Sequence, residues 1–185
     1  MFVHRHVAAL LSVAAMTTVP VKACRVSMPT TLADVRYADV VLIGRIKRYT
    51  IVRDRAFRRK MLSNAKLSQQ NREFYQGDHL IMGDYARFAV QVDEVLTGRP
   101  PVKTMVTWQN STFGIPKTLP AGRLLMALRK PTSKAPPLRG PSGTISPNPE
   151  PQPLTILQAA CSGAFIFAAD SREALTIRQM LASRQ

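Results

Sequence analysis

Residues 39–46 and 86–92 constrain the fold more than any other part of this sequence. The first segment is an almost unbroken run of β-branched and other apolar residues, which is typical of a β-strand. The second segment alternates, so that Phe88, Val90 and Val92 share one face of an extended chain. Together the two segments predict a sheet with a hydrophobic side, and therefore a mainly β fold.

Asp93 and Glu94 are adjacent carboxylates within the second of these strands. Val95 lies out of phase with Val92, and an extra residue between them would restore the alternation, so the sequence predicts a β-bulge here. Neighbouring residues of a regular strand face opposite sides. We therefore do not expect the two carboxylates to form a general acid/base pair.

Three further segments are predicted to be strands, which brings the total to five. Trp108, with Val102 and Val106 on the same alternating face, is expected in the core rather than on a ligand-binding surface. The segments are residues 102–108, 122–128 and 154–161.

Short helices are predicted at both ends of the domain. Thr30 or Thr31 is expected to cap a helix over residues 32–37, and Asp170, with Glu173 three residues later, has the spacing of a capping box. The chain has no internal repeat and no βαβ alternation, and 185 residues is a length typical of one domain. The C-terminal helix would bury one face, formed by Ala174, Ile177 and Leu181.

Two segments interrupt this pattern. Residues 53–82 are rich in Arg, Lys, Gln and Asn, and we interpret them as an inserted basic loop with a helical turn near residues 60–70. Residues 131–153 contain many of the 14 prolines of the chain, which excludes a central strand or helix and indicates a long loop.

Residues 1–23 resemble a signal peptide. Arg5 precedes an uncharged apolar run over residues 7–19, and small residues stand at the expected cleavage site after Ala23. We therefore expect an exported protein, periplasmic or secreted, with no transmembrane segment in the mature chain. Cleavage would make Cys24 the first residue, and the alternative is a lipid-anchored envelope protein with Cys24 acylated, although Lys22 stands where lipoprotein signals have a small residue.

The mature chain is poor in residues that carry catalysis or bind metals. Beyond the predicted signal peptide it contains one histidine, His79, and two cysteines, which cannot build a histidine-rich or four-cysteine zinc site. His79 lies in a charged segment and is expected to be an exposed loop residue. We predict a non-enzymatic protein with no catalytic residues, no metal and no cofactor. The alternative is an enzyme with a dyad such as Ser–Lys.

Several short motifs follow one another along the chain: Cys24, YADVVLIGRI at residues 37–46, FAV at 88–90, VLTG at 95–98, LPAGRLLM at 119–126 and ILQAAC at 156–161. Together and in this order they resemble the netrin-like module of the tissue inhibitors of metalloproteinases. The resemblance covers most of residues 24–182 and implies a single domain over residues 24–185, a five-stranded OB-fold-like barrel with a short N-terminal helix and a C-terminal helix. It departs from the family pattern at Val26, where a second leading cysteine is usual, and at Phe113, where a Cys-Gly pair is usual.

The two cysteines are predicted to form a disulfide between Cys24 and Cys161, because exported proteins with two cysteines usually pair them. The alternatives are free thiols or a lipidated Cys24. The resemblance further implies that the amine and carbonyl of an N-terminal Cys24 could chelate the zinc of a metalloprotease. Arg25 would then enter the specificity pocket of the protease, where the family has a small Thr or Ser.

A dense group of cations lies in and before the basic insertion. Such a density attracts polyanions, and export favours an anionic polysaccharide, a membrane surface or an acidic protein over nucleic acid. The alternative is a charged face that is merely solvated. The predicted polyanion-binding residues are Arg45, Lys47, Arg48, Arg53, Arg55, Arg58, Arg59 and Lys60.

Overall fold

The computed structural model describes residues 27–110, 115–138 and 150–183. The predicted signal peptide, Cys24 and Arg25 lie outside the described residues. The chain begins with a 3₁₀ helix, Leu32–Tyr37, at the position predicted for the first helix. The elements that follow are β1 (Val40–Val52), α1 (Arg55–Leu62), α2 (Gln69–Gln76), β2 (Tyr85–Thr97), β3 (Thr104–Gln109), β4 (Leu124–Arg129), β5 (Leu154–Ile156), β6 (Ile166–Ala168) and α3 (Arg172–Ala182).

Five of the strands close into a barrel. The strand order is β1-β2-β3-β5-β4, and β4 pairs back onto β1. Every neighbouring pair is antiparallel except β3 and β5, which are parallel. This arrangement confirms the prediction of a mainly β, OB-fold-like barrel with a short N-terminal helix and a C-terminal helix.

A sixth strand, β6, was not predicted. It is three residues long and extends the barrel sheet by pairing with β4. The fifth strand is also shorter than predicted, since β5 ends at Ile156 and residues 157–161 leave the sheet. The Leu157 amide still donates to the Ala127 carbonyl of β4 at 2.9 Å, and its side chain belongs to the core cluster that also contains Ala174 and Ile177 of α3.

The core has two parts, one on each side of the sheet. Inside the barrel, Leu42, Phe88, Val106 and Trp108 pack together, which confirms the core prediction for Trp108. Val102, which was expected on the same face, is fully exposed because it lies in the turn before β3. The outer cluster joins the sheet to the two terminal helices and includes Val35, Ile43, Leu125, Phe165 and Ile177.

The predicted bulge in β2 is present. Ile43 pairs with Glu94 and Gly44 with Val92, so Asp93 is the extra residue. The two carboxylates have separate main partners, since Asp93 pairs with Arg45 at 2.7 Å and Glu94 with Arg178 at 2.9 Å, but the bulge also brings both near Arg123. Asp93 accepts a hydrogen bond from Arg123 at 3.1 Å, and the same guanidinium lies 4.0 Å from Glu94.

The basic insertion contains two helices, α1 and α2, where the sequence predicted a loop with one turn. Each helix has a side-chain cap: a carboxylate oxygen of Asp54 accepts from the amide of Phe57 at 2.9 Å, and Ser68 accepts from the amide of Asn71 at 3.3 Å. No residue of either helix is buried. Both helices are strongly hydrophilic and contain few apolar residues, so they are hard to recognise in the sequence as helices that pack on the core.

Capping of the other helices differs from the prediction in detail. Ser171, not Asp170, caps α3, and its hydroxyl accepts from the amide of Ala174 at 3.2 Å. Thr31 precedes the 3₁₀ helix without a side-chain capping bond. The predicted apolar face of α3 is confirmed, because Ala174 and Ile177 are buried in it.

Candidate functional site

The two segments that interrupted the strand pattern occupy the two connections that flank the ligand-binding face of OB folds. The basic insertion joins β1 to β2, and the proline-rich segment joins β4 to β5. Proteins with this fold commonly bind oligonucleotides or oligosaccharides on the outer face of β2 and β3, between these connections. The outer face here carries Arg87, Ala89 and Gln91 on β2, whose strand neighbours Phe88 and Val90 point into the core.

The second connection reaches the outer face at Glu150. The Tyr85 hydroxyl donates to Glu150 at 2.7 Å, and the Arg87 guanidinium lies 3.4 Å from the same oxygen. Burial, reinforced by the hydrogen bond to Glu150, raises the pKa of Tyr85 to about 12. Tyr85 therefore remains a neutral donor, and it anchors the end of the β4–β5 connection against the start of β2.

Asp84 anchors the basic insertion to the barrel. Its side chain is buried and accepts hydrogen bonds from Arg58 at 2.6 and 2.8 Å and from Arg53 at 3.3 Å. The amides of Asp54 and Ile81 donate to it at 2.8 and 3.0 Å. Burial alone would raise the pKa of Asp84, but the hydrogen bonds from Arg58 and the two amides outweigh it and lower the pKa to about 2. The carboxylate is therefore charged, and both of its oxygens accept hydrogen bonds from these donors.

The structure divides the eight predicted polyanion-binding residues into two groups. Arg45 pairs with Asp93 at 2.7 Å, Arg58 pairs with Asp84, and Arg53 pairs with both Asp78 and Asp84. These three guanidinium groups hold the fold together. The other five are exposed and have no ion pair with any described residue; we call them the exposed cations, and they are Lys47, Arg48, Arg55, Arg59 and Lys60.

The exposed cations lie on two neighbouring elements. Lys47 is on the outer face of β1, since it pairs with Ala89 of β2. Arg48 follows it at a register shift and has a positive φ of 55°, a conformation that bends the strand. The remaining three, Arg55, Arg59 and Lys60, are on α1.

An open pocket of about 660 Å³ lies where the insertion meets the barrel, and the sequence did not reveal it. Val52, Ala56 and Met82 supply apolar walls. The polar and charged lining residues are Arg53, Asp54, Arg55, Asp84, Gln109 and Asn110. A second pocket of about 220 Å³ lies on the other side of Gln109, beside the β4–β5 connection. Gln109 lines both pockets, which places them next to each other at the end of β3.

The N-terminal segment lies against Cys161. The Met28 amide donates to the Cys161 carbonyl at 2.7 Å, and Met28 also forms a bridge with Ser162. Cys161 is buried. Because Cys24 lies outside the described residues, the disulfide stays a prediction, as does the role of Cys24 and Arg25 in chelating a protease zinc.

His79 is exposed, as expected, and its ring stacks on Phe74 with 4.9 Å between ring centres. Among the described residues, no group of three His, Cys, Asp or Glu side chains is placed to hold a metal ion. No helix in the described part of the chain is long and apolar enough to cross a membrane.

Comparison with known proteins adds no assignment. No protein-family model matches the sequence, and no curated protein is significantly similar to it. The likeness to the netrin-like module therefore remains a prediction from sequence motifs, whereas the OB-fold-like barrel is a property of the structure.

Proposed function

We propose that this protein is an exported, non-enzymatic binding module of netrin-like type that binds an anionic polysaccharide through the exposed cations. The observation that carries the proposal is that five of the eight cations between residues 45 and 60 are exposed and unpaired among the described residues, while the other three are held by carboxylates. Cations that served only to keep the surface hydrated would not need neighbouring guanidinium groups to be held in place by carboxylates.

The electrostatics of the whole chain support a polyanion as the ligand. The formal charge is +15, and loss of Arg5 and Lys22 with the predicted signal peptide would leave +13. Clustered Lys and Arg side chains gain affinity for a polyanion by releasing its counterions, and the gain falls as salt rises. We therefore expect binding that depends steeply on ionic strength.

The aromatic residues argue against single-stranded nucleic acid as the ligand. Base binding on OB folds depends on exposed rings on which bases can stack. Tyr49 packs on Phe88 and donates to the Pro116 carbonyl at 2.6 Å, so its ring belongs to the barrel core. Phe57 and Phe74 of the insertion are exposed, but each packs edge-on against Tyr75, so the described part of the insertion offers two rings rather than a row of them.

Heparin chromatography with charge-reversed variants tests this proposal. Arg59→Glu together with Lys60→Glu should elute at clearly lower salt than the unmodified protein. The matched control is Arg99→Glu together with Arg172→Glu, which changes the net charge equally but lies beyond the far end of β2 and at the start of α3. Equal shifts for the two double variants would mean that only net charge matters, and would reject a binding surface at the insertion.

A second candidate is inhibition of a metalloprotease by the N-terminus at Cys24. It is favoured by the backbone hydrogen bond between Met28 and Cys161, which holds the approach to Cys24 beside the predicted disulfide partner. A terminus held in place loses little conformational entropy on binding. Mature protein that begins at Cys24 should inhibit, and the same protein with one Ala added before Cys24 should not. Equal inhibition by the two forms would exclude zinc chelation by the terminal amine.

The intact mass of the mature protein separates export as a free protein from lipid anchoring. A chain that begins at Cys24 and is two hydrogens lighter than its reduced mass supports the disulfide. An added acyl mass on Cys24 would instead support the anchored alternative, in which the protein has a structural role in the envelope.

A further inference from the structure

We propose that the 660 Å³ pocket between the insertion and the barrel binds one carboxylate-bearing sugar residue. This inference rests on the proposed function, because it names the chemical class of the polymer and the place where one of its units is recognised. The exposed cations would supply long-range attraction, and the pocket would supply selectivity. The pocket volume falls within the roughly 300–1,000 Å³ that is usual for small-molecule sites.

The pocket contains an unpaired cation suited to a carboxylate. Arg55 lines the pocket at the first position of α1, and its guanidinium has no ion pair or hydrogen bond with any described residue. A guanidinium can hold a carboxylate through two parallel hydrogen bonds, and such charge-assisted bonds are the strong ones. Arg53 and Arg58 cannot take this role, because Asp84 already occupies them.

Two amide side chains are available for sugar hydroxyls. Asn110 is only 5% exposed; its side-chain nitrogen donates to the Ile81 carbonyl at 2.8 Å. Its side-chain oxygen has no hydrogen-bond partner among the described residues. A buried acceptor without a donor costs about 1–3 kcal/mol, so a sugar hydroxyl that reached this oxygen would remove that cost. The Gln109 side chain lines the same pocket and likewise has no hydrogen bond with a described residue.

The remaining walls suit the C–H face of a sugar ring. Val52, Ala56 and Met82 line the pocket, and Met82 is half exposed although it is apolar. Only one aromatic ring, that of Tyr85, is among the described lining residues, and its hydroxyl is committed to Glu150. A nucleobase would require ring faces for stacking, so the lining favours a sugar.

The pocket is preformed, because contacts within the protein hold its walls in place. Asp84 binds the amides of Asp54 and Ile81, which fixes the two chain segments that form opposite walls. Gly83 approaches Asp54 so closely that a Cβ at this position would overlap the Asp54 carboxylate. Because these walls are held in place, little conformational entropy is lost on binding.

Titration with a hexuronic-acid disaccharide tests the inference, with its neutral hexose counterpart and a nucleoside monophosphate as comparison ligands. We expect the acidic disaccharide to bind at least tenfold more tightly than either comparison ligand. Arg55→Gln should weaken it at least tenfold, and Met82→Trp, which fills the pocket from a half-exposed position, should do the same. The matched control Arg172→Gln removes an equal charge at the start of α3, outside both the pocket lining and the exposed cations, and should change disaccharide affinity less than twofold.

The outcomes distinguish this inference from the proposed function. If heparin retention depends on Arg59 and Lys60 but the disaccharide does not bind, or Arg55→Gln and Arg172→Gln weaken its binding equally, the pocket assignment is wrong and the polymer-binding surface stands. Equal or tighter binding of the nucleotide would overturn the sugar class. Circular dichroism and thermal unfolding of each variant establish that a loss of binding is not a loss of fold.

Discussion

Arg58 donates two hydrogen bonds to the Asp84 carboxylate, at 2.6 Å to one oxygen and 2.8 Å to the other. The pair joins α1 of the insertion to the residue that precedes β2. It explains how a segment with no buried residue in either of its helices is held on the barrel. The same contact positions the walls of the candidate pocket, so the stability of the insertion and the shape of the site depend on one carboxylate.

Loss of Arg58 should therefore destabilise the protein far more than loss of its neighbour Arg59. Arg58→Ala leaves a buried charge short of its main partner, which costs about 3 kcal/mol. Arg59→Ala removes an exposed side chain without an ion pair among the described residues and should change the free energy of unfolding by less than about 0.5 kcal/mol. Urea unfolding of the two variants measures both values. Similar destabilisation would show that Arg58 does not anchor the insertion.

Acid should weaken the same anchor. The pKa of Asp84 is about 2 in the folded protein, against 3.8 normally. Because the folded pKa is the lower one, the stabilisation is fully present above about pH 4 and is lost as the pH falls toward 2. It amounts to on the order of 2 kcal/mol. The free energy of unfolding, measured between pH 5 and 2, should fall more steeply for the unmodified protein than for Arg58→Ala. Parallel curves would contradict the assignment to Asp84.

Gly98 should tolerate a side chain less well than Gly122. Both have a positive φ, 80° and 131°, so Ala at either position carries backbone strain of about 1–3 kcal/mol. A Cβ on Gly98 would also overlap the Asp39 carbonyl oxygen, whereas a Cβ on Gly122 meets nothing within 4 Å. We expect Gly98→Ala to be the less stable variant by about 1–3 kcal/mol in thermal or urea unfolding. Equal stability of Gly98→Ala and Gly122→Ala would show that the turn after β2 can shift to accommodate a Cβ at position 98.

The predicted disulfide can be tested by a double-mutant cycle. If Cys24 and Cys161 are bonded, Cys24→Ser, Cys161→Ser and the double variant remove the same crosslink. Each should then lose the same stability, about 4–5 kcal/mol on the chain-entropy model for a long loop. Losses that add in the double variant would indicate two independent cysteines. Measurement under reducing conditions should abolish the difference between the unmodified protein and Cys24→Ser.

The strands of the barrel were predictable because their signals are local. Alternation in β2 and the β-branched run in β1 each depend on neighbouring residues, and the phase change at Val95 was enough to locate the bulge at Asp93. The short β6 was missed because three residues carry too little periodicity. The helices of the insertion were missed because they bury no apolar face.

The candidate site was predictable only in part, because its charge is a local property of the sequence whereas the pairing of its cations is not. The density of cations over residues 45–60 is visible in the sequence. Which of them are available is not visible, because Arg58 and Asp84 are 26 residues apart and meet only in the folded chain. Arg55 and Arg58 are chemically identical side chains, yet Arg55 lines the pocket whereas Arg58 pairs with Asp84 and fixes the position of the insertion.

The sequence by itself therefore determined the strand-forming segments, the two long interruptions and the strong positive charge, since each follows from residue type and near-neighbour spacing. Closure of β4 onto β1, the pocket at Gln109 and Asn110, and the division between paired and exposed cations were decided only by tertiary structure. The physical reason is that burial and ion pairing are set by contacts between distant residues. A carboxylate such as Asp84 selects its guanidinium partners only after the barrel has brought them within hydrogen-bonding distance.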